Sequence, residues 1–305
     1  MIIAQCGYYR MRLPLMRYFD NCETGGCAVD STSIIECICC WCDLLGYGSP
    51  FVESKWDLNN EKCRQNFQRI VNVKDSFHSS WSASPVGTKL VFNDGYASTI
   101  DCLPSPDNYD NYKNILYFLE GAIKDYESLN SRDKQYGFPG ARSIISLGQR
   151  FSYDTCSHSF DMIFKRTISY YPEEFQMNTA FSKAFIMEEA GSKAKISGSN
   201  MYFDASLFSY LNNFAKMTGC SPFQITKEAT VIKLSVFEGN YWFADLCFDS
   251  SPIRFGGKMG YENRGIETTL YRYIEHSLHS IIDDAAFEAS YADSLRAKLS
   301  EEDAE

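Results

Sequence analysis

The feature that most constrains this chain is a largely apolar run, Ile34 to Cys42, that ends in Asp43 and the turn Leu44-Leu45-Gly46-Tyr47-Gly48. Its β-branched and cysteine residues read as a buried strand. A carboxylate at the end of such a strand is ill suited to packing, because a buried charge costs several kcal/mol, in order of magnitude, unless it is paired or bound to metal. A second stretch of the same design follows, Lys89-Leu90-Val91-Phe92-Asn93-Asp94-Gly95-Tyr96-Ala97-Ser98. There Asp94 sits at the bend of a β-hairpin, with Asp-Gly as the turn. Two strands that each present one Asp at an end are able to place both carboxylates on one hard divalent cation. The alternative at this point is that Asp43 caps a helix and Asp94 only makes its turn.

The rest of the chain supplies the elements around those two ends. A helix is expected over 58–80, from Leu58, Cys63, Phe67, Ile70, Val71 and Phe77 at near-helical spacing, with Asp57 as N-cap. The hairpin covers 88–102. A helix over 110–129 and a strand over 142–148 come next, then a short strand at 160–169. A helix over 178–190 stops at Gly191, followed by a strand at 194–198 and a helix at 204–217. Val231–Phe237 and Tyr241–Phe248 form a further hairpin. A tail helix is expected over 266–299, with Ile266, Leu270, Ile274, Leu278, Ile281 and Ile282 on one face. The acidic end, 301–305, is solvated. The order β-α-β-β-α-β predicts an α/β (α+β) fold of the ferredoxin-like, split-βαβ kind, with a C-terminal hairpin and a long helix. The organisation expected is an N-terminal extension over 1–30, a core domain over 31–205 and C-terminal elements over 206–305 packed on it.

Composition bounds the partners. A net charge of −10 argues against a nucleic-acid surface or an anionic membrane as a partner. No stretch approaches the roughly 18 to 20 apolar residues of a membrane span, and the N-terminus lacks the pattern of a secretion signal, so a cytoplasmic location is expected. The chain has 12 cysteines, but they do not fall into a metal-site spacing. On a strand, Cys37 and Cys39 face one way and Cys40 and Cys42 the other, a geometry that cannot converge on one zinc. Buried free thiols are expected instead. His78, His158, His276 and His279 form no triad-like set, and the last two are read as surface residues of the tail helix. Arg142 and Arg150 flank a strand and are as well suited to structural ion pairs as to a site.

With the strands and both carboxylates in place, the chain resembles the class III nucleotidyl cyclases over roughly residues 33–204. In that family one metal Asp ends the first strand and the second lies at the following hairpin, as in Trp41-Cys42-Asp43-Leu44-Leu45-Gly46-Tyr47 and Phe92-Asn93-Asp94-Gly95-Tyr96. Arg142 to Gly148 resembles the family's next strand, and Asn178 to Gly191 with Lys195-Ile196-Ser197 its helix-to-strand segment. The resemblance implies two divalent cations, Mn²⁺ or Mg²⁺, on Asp43, Asp94 and the Leu44 carbonyl. The turn at Gly46 and the start of the next helix would offer N–H groups to a triphosphate. It also implies a homodimer, each site taking its metal Asp pair from one protomer and its second-half helix from the other.

The departures narrow the substrate. Purine cyclases carry an Asn and an Arg four residues apart on that helix, where this chain has Ser182 and Ile186. Lys183 is on the same face as Ile186 and is a candidate phosphate cation in place of the Arg, or else an ordinary surface lysine; Ser182 is a ribose contact or a packing residue. The two purine-selecting positions are Leu90 and Phe175, which cannot make the hydrogen bonds that select adenine or guanine. Among cyclases the chain is most similar to the bacterial pyrimidine cyclases of Pycsar anti-phage systems. That similarity implies UTP or CTP as substrate, a 3′,5′-cyclic monophosphate as product, and a separate effector protein that the product activates. The rivals are an adenylate or guanylate cyclase with a divergent pocket, and a cyclase-fold binding module without turnover.

Overall fold

The computed structural model describes residues 33–76, 87–102, 111–152, 172–219, 221–238, 241–256 and 264–278. Strand β1 (Ser33–Leu44) is an interior strand, covered on both faces. Alternation sends Ile38 and Cys40 to one side, against Ile115, Leu119 and Ile123 of helix α3 (Asn111–Gln135). Cys37, Cys39 and Trp41 go to the other, against Ala180, Ala184 and Met187 of helix α4 (Thr179–Ala190). The cysteines of β1 are buried free thiols, as expected.

Short helix α1 (Ser49–Glu53) and helix α2 (Glu61–Ser76) follow β1, and β2 (Thr88–Val91) and β3 (Gly95–Cys102) form the hairpin. After α3 come β4 (Ala141–Ser152), α4, β5 (Met201–Asp204) and helix α5 (Ala205–Thr218). Then follow β6 (Phe223–Lys227), β7 (Val231–Glu238), β8 (Tyr241–Asp249), β9 (Ile253–Phe255) and β10 (Thr268–Leu278). Among the described residues these form one ten-stranded sheet in the order β2-β3-β1-β4-β5-β10-β8-β7-β6, with β9 on β10. Its first half has the β2-β3-β1-β4 order of the βαββαβ core, with β1 antiparallel to both β3 and β4. The sheet runs on without a break through β5 and β10 into the C-terminal strands.

Close backbone approaches fix the helices. At Gly148 on β4 a Cβ would lie 2.3 Å from the Ala180 nitrogen, so the absence of a side chain lets α4 lie directly on the strand. The Asn178 side chain caps that helix by accepting the Phe181 N–H at 2.8 Å, while its own amide donates to Thr99 Oγ1 on β3 at 3.1 Å.

Three sequence expectations are corrected. The tail is not a helix over 268–278 but strand β10; residues 279–299 lie outside the described residues, as do the strand expected at 160–169 and residues 1–30. The strand expected at 194–198 is instead a 3₁₀ turn (Gly191–Ala194) and loop, with Lys195 and Gly198 at positive φ, and the strand forms at β5. Helix α2 begins at Glu61 rather than 58, with Asn60 Oδ1 accepting the Lys62 N–H, while Asp57 accepts from Asn59 in the preceding turn. Leu58 and Phe67 are exposed, while Cys63 is buried as expected, together with Asn66, Arg69 and Val73.

Candidate active site

The β1–β3 register pairs Asp43 with Gly95, and the Leu44 N–H donates to the Asp94 carbonyl at 2.7 Å. Asp94 is thereby held beside Asp43. A Cβ on Gly95 would stand 2.0 Å from the Cys42 carbonyl oxygen, so only glycine permits the hairpin to close this tightly on β1. Asp43 is half-buried and Asp94 exposed. Being two residues from Trp41, Asp43 points to the α4 face of the sheet.

On that face Asp43 meets a buried ion pair. Arg142, its register partner on β4, donates through Nε to Glu188 of α4 at 2.9 Å and through its terminal nitrogen to the same oxygen. Arg142 also reaches the Ile196 carbonyl at 3.2 Å, and Trp41 Nε1 donates to the other Glu188 oxygen at 3.4 Å. Burial first, then repulsion from Glu188 and Asp94, pushes the Asp43 carboxyl up to about 7, against the opposing pull of Arg142 and Arg69. Three carboxylates thus share one nearby guanidinium, with Arg69 contributing from further away.

The turn after Asp43 is held from below. Arg69 is buried and chelates Asp133 of α3, its terminal nitrogen 2.6 Å from Oδ2, while donating to the carbonyls of Leu45 (3.1 Å) and Gly140 (3.0 Å). Asn66 donates to the Tyr47 carbonyl, and Gly46 supplies the positive φ of 68° that the turn requires. Within 45–49 the N–H groups of Leu45, Tyr47 and Ser49 are engaged, which leaves those of Gly46 and Gly48 as the turn's open donors. The helix that follows is the five-residue α1, not the longer α2.

The oxygen-only donor set fits a hard divalent cation. Asp43, Asp94 and the Leu44 carbonyl are one group, and the last accepts only the Tyr47 N–H at 3.1 Å outside the sheet. Among the described residues no three His, Cys, Asp or Glu side chains form a metal-ligand set. Two carboxylates are the complement of a cation that keeps its remaining positions for water and phosphate oxygens.

The other candidates fall into two places. Leu90 and Phe175 join one apolar cluster with Trp41, Phe92, Phe181 and Phe185. Alternation settles the facing of β2, since the neighbouring Lys89 reaches the opposite face, to Asp125 of α3 at 2.5 Å. Phe175 lies in a 3₁₀ turn (Glu173–Phe175) and is 8% exposed, its ring edge-on to Phe181 at 5.8 Å. Ser182 is exposed, its hydroxyl donating to the Asn178 carbonyl at 3.0 Å. Lys183 donates to the Leu147 carbonyl at 2.7 Å and pairs with the fully buried Asp204 at 3.0 Å. Leu147 and Arg142 are five residues apart on β4, which separates Lys183 from Asp43 by about 17 Å along the strand. Within one chain, then, Lys183 and Ser182 are not gathered with the carboxylates.

Glu188, Trp41 and Arg69 were not singled out by the sequence as parts of this site. Trp41 had a signal, its two-residue spacing from Asp43; the partners of Arg69 and Glu188 lie 64 and 46 residues away in the chain and leave no local pattern. Arg150 is an ion-pair residue, 2.6 Å from Asp101. His276 is not on a helix surface but on β10, its Nδ1 2.7 Å from the Tyr273 hydroxyl; His78, His158 and His279 lie outside the described residues.

No helix among the described residues is long and apolar enough to cross a membrane. No family model and no curated protein matches the chain. Solved structures similar to it include the adenylyl cyclase CyaB from P. aeruginosa, with 11% identity over 80% of this chain and 96% of that one, at a TM-score of 0.37. The guanylyl cyclase Cya2 is similar with 10% identity over 82% of this chain and 96% of that one, at a TM-score of 0.38. At that overlap the likeness carries no argument about chemistry, which rests on the two strand-end carboxylates and the charge around them.

Proposed function

We propose that the chain is a nucleotidyl cyclase that converts a pyrimidine nucleoside triphosphate, UTP ahead of CTP, into its 3′,5′-cyclic monophosphate and pyrophosphate. The observation that carries this is the convergence of Asp43 and Asp94 through the β1–β3 register, in a group whose three carboxylates outnumber its nearby guanidinium. In the reaction the ribose O3′ forms a bond to the α-phosphorus as the bond to pyrophosphate breaks, and the O3′ proton is released to water. Divalent cations, Mn²⁺ or Mg²⁺, would supply charge neutralisation at the attacking and leaving oxygens. Asp43, Asp94 and the Leu44 carbonyl would hold them, and the open N–H groups of Gly46 and Gly48 would be available to the phosphates. Arg142 keeps Glu188 occupied, so that Asp43 remains available. Leu90 and Phe175 leave purine edge groups without partners, at about 1–3 kcal/mol for each such group.

The site uses a homodimer. Lys183 lies too far along the sheet to serve the Asp pair of its own chain, so in this reading it acts on a second protomer's nucleotide. In this reading the product is a cytoplasmic signal for a separate effector, as in the Pycsar systems the sequence resembles. A second reading, nucleotide binding without turnover, is favoured by one specific observation, the engagement of Lys183 with Asp204 and Leu147.

Incubation with each of four nucleoside triphosphates and Mn²⁺, with mass-spectrometric detection of cyclic monophosphates, decides among these. UTP or CTP is expected to be used at least tenfold more efficiently than ATP or GTP. Equal use of all four, or a preference for ATP, defeats the pyrimidine assignment; no product from any supports binding alone. Mixing Asp43→Asn with Lys183→Met is expected to restore part of the activity through hybrid dimers, and activity in monomers at high dilution removes the shared site.

A further inference from the structure

We infer that the cleft between α3 and the edge of β10 is a binding site for a small primary ammonium, an alkyl mono- or diamine, with Glu127 as its anion. The cleft exists because two paired strands differ in length. β5 has 4 residues and β10 has 11, and their pairing stops at Arg272 opposite Tyr202. From Tyr273 to Leu278, β10 keeps β8 on one side and, among the described residues, has no strand on the other. Helix α3 is tied to both borders of that gap. The Tyr273 hydroxyl donates to Glu127 Oε1 at 2.8 Å, and the Tyr126 hydroxyl donates to the Ser199 carbonyl at 2.6 Å, just ahead of β5. Between them lies a cleft of about 400 Å³, bordered by Tyr126, Glu127, Asn130, Asn200 and the stretch Arg272 to Ile274. That volume is within the range of about 300–1,000 Å³ usual for small-molecule sites. Tyr126 and Tyr273 belong to the apolar cluster on the α3 face of the sheet, whereas Asp43 points to the α4 face. The cleft is therefore separate from the carboxylate pair and does not depend on the nucleotide reading.

The cleft is richer in acceptors than in donors. Tyr273 and His276 both address Glu127 Oε1, the latter from 3.4 Å, and no bond among the described residues reaches Oε2. The Tyr126 hydroxyl has given its one proton to Ser199, so its oxygen is left to accept. Asn200 directs its amide nitrogen to the Ser197 carbonyl at 2.7 Å, which leaves its Oδ1 unbonded. Asn130 is engaged on both sides, taking the Ala141 N–H at 2.9 Å and donating to the Tyr126 carbonyl at 3.0 Å. Arg272 supplies no cation here. It stands between Tyr271 and Tyr273, which pack on the α3 face, so its side chain leaves on the other face, where it pairs with Asp249 at 3.0 Å. Three acceptors, one of them charged, match the three N–H donors of one ammonium group. An anion would be repelled by Glu127, and a hard divalent cation calls for more carboxylate oxygen than this one side chain supplies. The two tyrosine rings and the exposed Ile274 add apolar surface for a short alkyl chain.

The test is calorimetric titration of the full chain, without nucleotide, with n-butylammonium, with 1,4-diaminobutane, and with tetramethylammonium as a cation that has no N–H to donate. Saturable one-to-one binding of at least one amine is expected, with tetramethylammonium at least about tenfold weaker. Glu127→Gln, which keeps an acceptor for Tyr273, is expected to raise Kd by about 10- to 150-fold, and Asn200→Ala by about 2- to 10-fold. Glu120→Gln removes the same charge two turns earlier on α3 and is expected to leave Kd unchanged. Tm is recorded for every variant; if Glu127→Gln does not fold, Asn200→Ala against Glu120→Gln carries the comparison. No saturable binding by the wild-type chain at millimolar amine overturns the site. So does tetramethylammonium binding as tightly as the amines, or Glu120→Gln weakening binding as much as Glu127→Gln, since either would mean attraction to the chain's net negative charge alone. None of these outcomes bears on the cyclase reading, which is tested by its own product assay.

Discussion

Two groups of charge flank the turn that follows β1, and they are balanced differently. Below it, Arg69 faces one carboxylate, Asp133, and spends its remaining donors on the Leu45 and Gly140 carbonyls and on Asn66. Phe138 covers the guanidinium at 4.9 Å. Above it, Asp43, Asp94 and Glu188 divide one nearby guanidinium among them, and Arg142 is committed to Glu188. A matched group is finished when the chain folds; an unmatched one has charge left over for a ligand. The first therefore builds the turn, and the second is the place where chemistry is to be sought.

That contrast is open to attack at several residues. Arg69→Met is expected to have the largest effect, because it leaves Asp133 buried without its partner: a loss of about 3–5 kcal/mol of stability, read by urea denaturation. A loss below about 1 kcal/mol would show that the lower group is not the turn's foundation. Asp43→Asn is expected to do the reverse, lowering turnover by about 10²- to 10³-fold, on the scale of removing one transition-state contact, without lowering Tm. Full activity in that variant, or in Asp94→Asn, would sink the site.

Lys183→Met is expected to cost about 1–3 kcal/mol, since Asp204 keeps the Ser206 N–H, the Ser206 hydroxyl and the Thr268 hydroxyl as donors. A loss of activity with no loss of stability would instead place that lysine in chemistry. A separate test is the dependence on pH. The Asp43 carboxyl ionises near 3.8 when unfolded and at about 7 when folded, so the folded chain holds the extra proton between those values. Without divalent cations, stability is therefore expected to fall as pH rises from about 4 to about 7 and to level off above, a slope that Asp43→Asn removes. In the reading proposed above, Mn²⁺ affinity is expected to run the other way, rising with pH up to about 7 as the proton is displaced. A pH-independent affinity over that range would separate Asp43 from the cation.

Much of the first half was legible because its signals are local. The β1 run, the Asp-Gly turn, the apolar spacing of α3 and the Asn178–Gly191 frame of α4 each specify themselves. The C-terminal error has a definite cause. Ile266, Leu270, Ile274 and Leu278 recur every four residues, and four is both close to a helical turn and a multiple of the strand period, so the spacing fits either. Thr268, Thr269, Tyr271 and Tyr273 favour the strand. A bulge between Tyr273 and Glu275 then shifts the phase, so that Leu270 and Tyr273 are buried while Ile274 is exposed. Helix α2 misled for another reason: its buried face is built on Asn66 and Arg69, whose partners lie on other elements, so apolar periodicity pointed to Phe67. The carboxylate pair was legible as two strand ends; the Glu188–Arg142 pair beside it depends on α4 lying on β4, which no short window records.

Gly95 determines how this site is able to change over evolutionary time. Because the hairpin meets β1 backbone to backbone there, the separation of Asp43 and Asp94 is set by the main chain and not by any neighbouring side chain. Substitutions at Leu90, Phe92 or Phe175, in the apolar cluster beside the pair, leave that separation alone. In the reading proposed above, the preference for a nucleotide would thus be free to drift among descendants of this chain while the reaction stays the same, and Gly95, a residue with no side chain at all, would be the position that cannot join the drift.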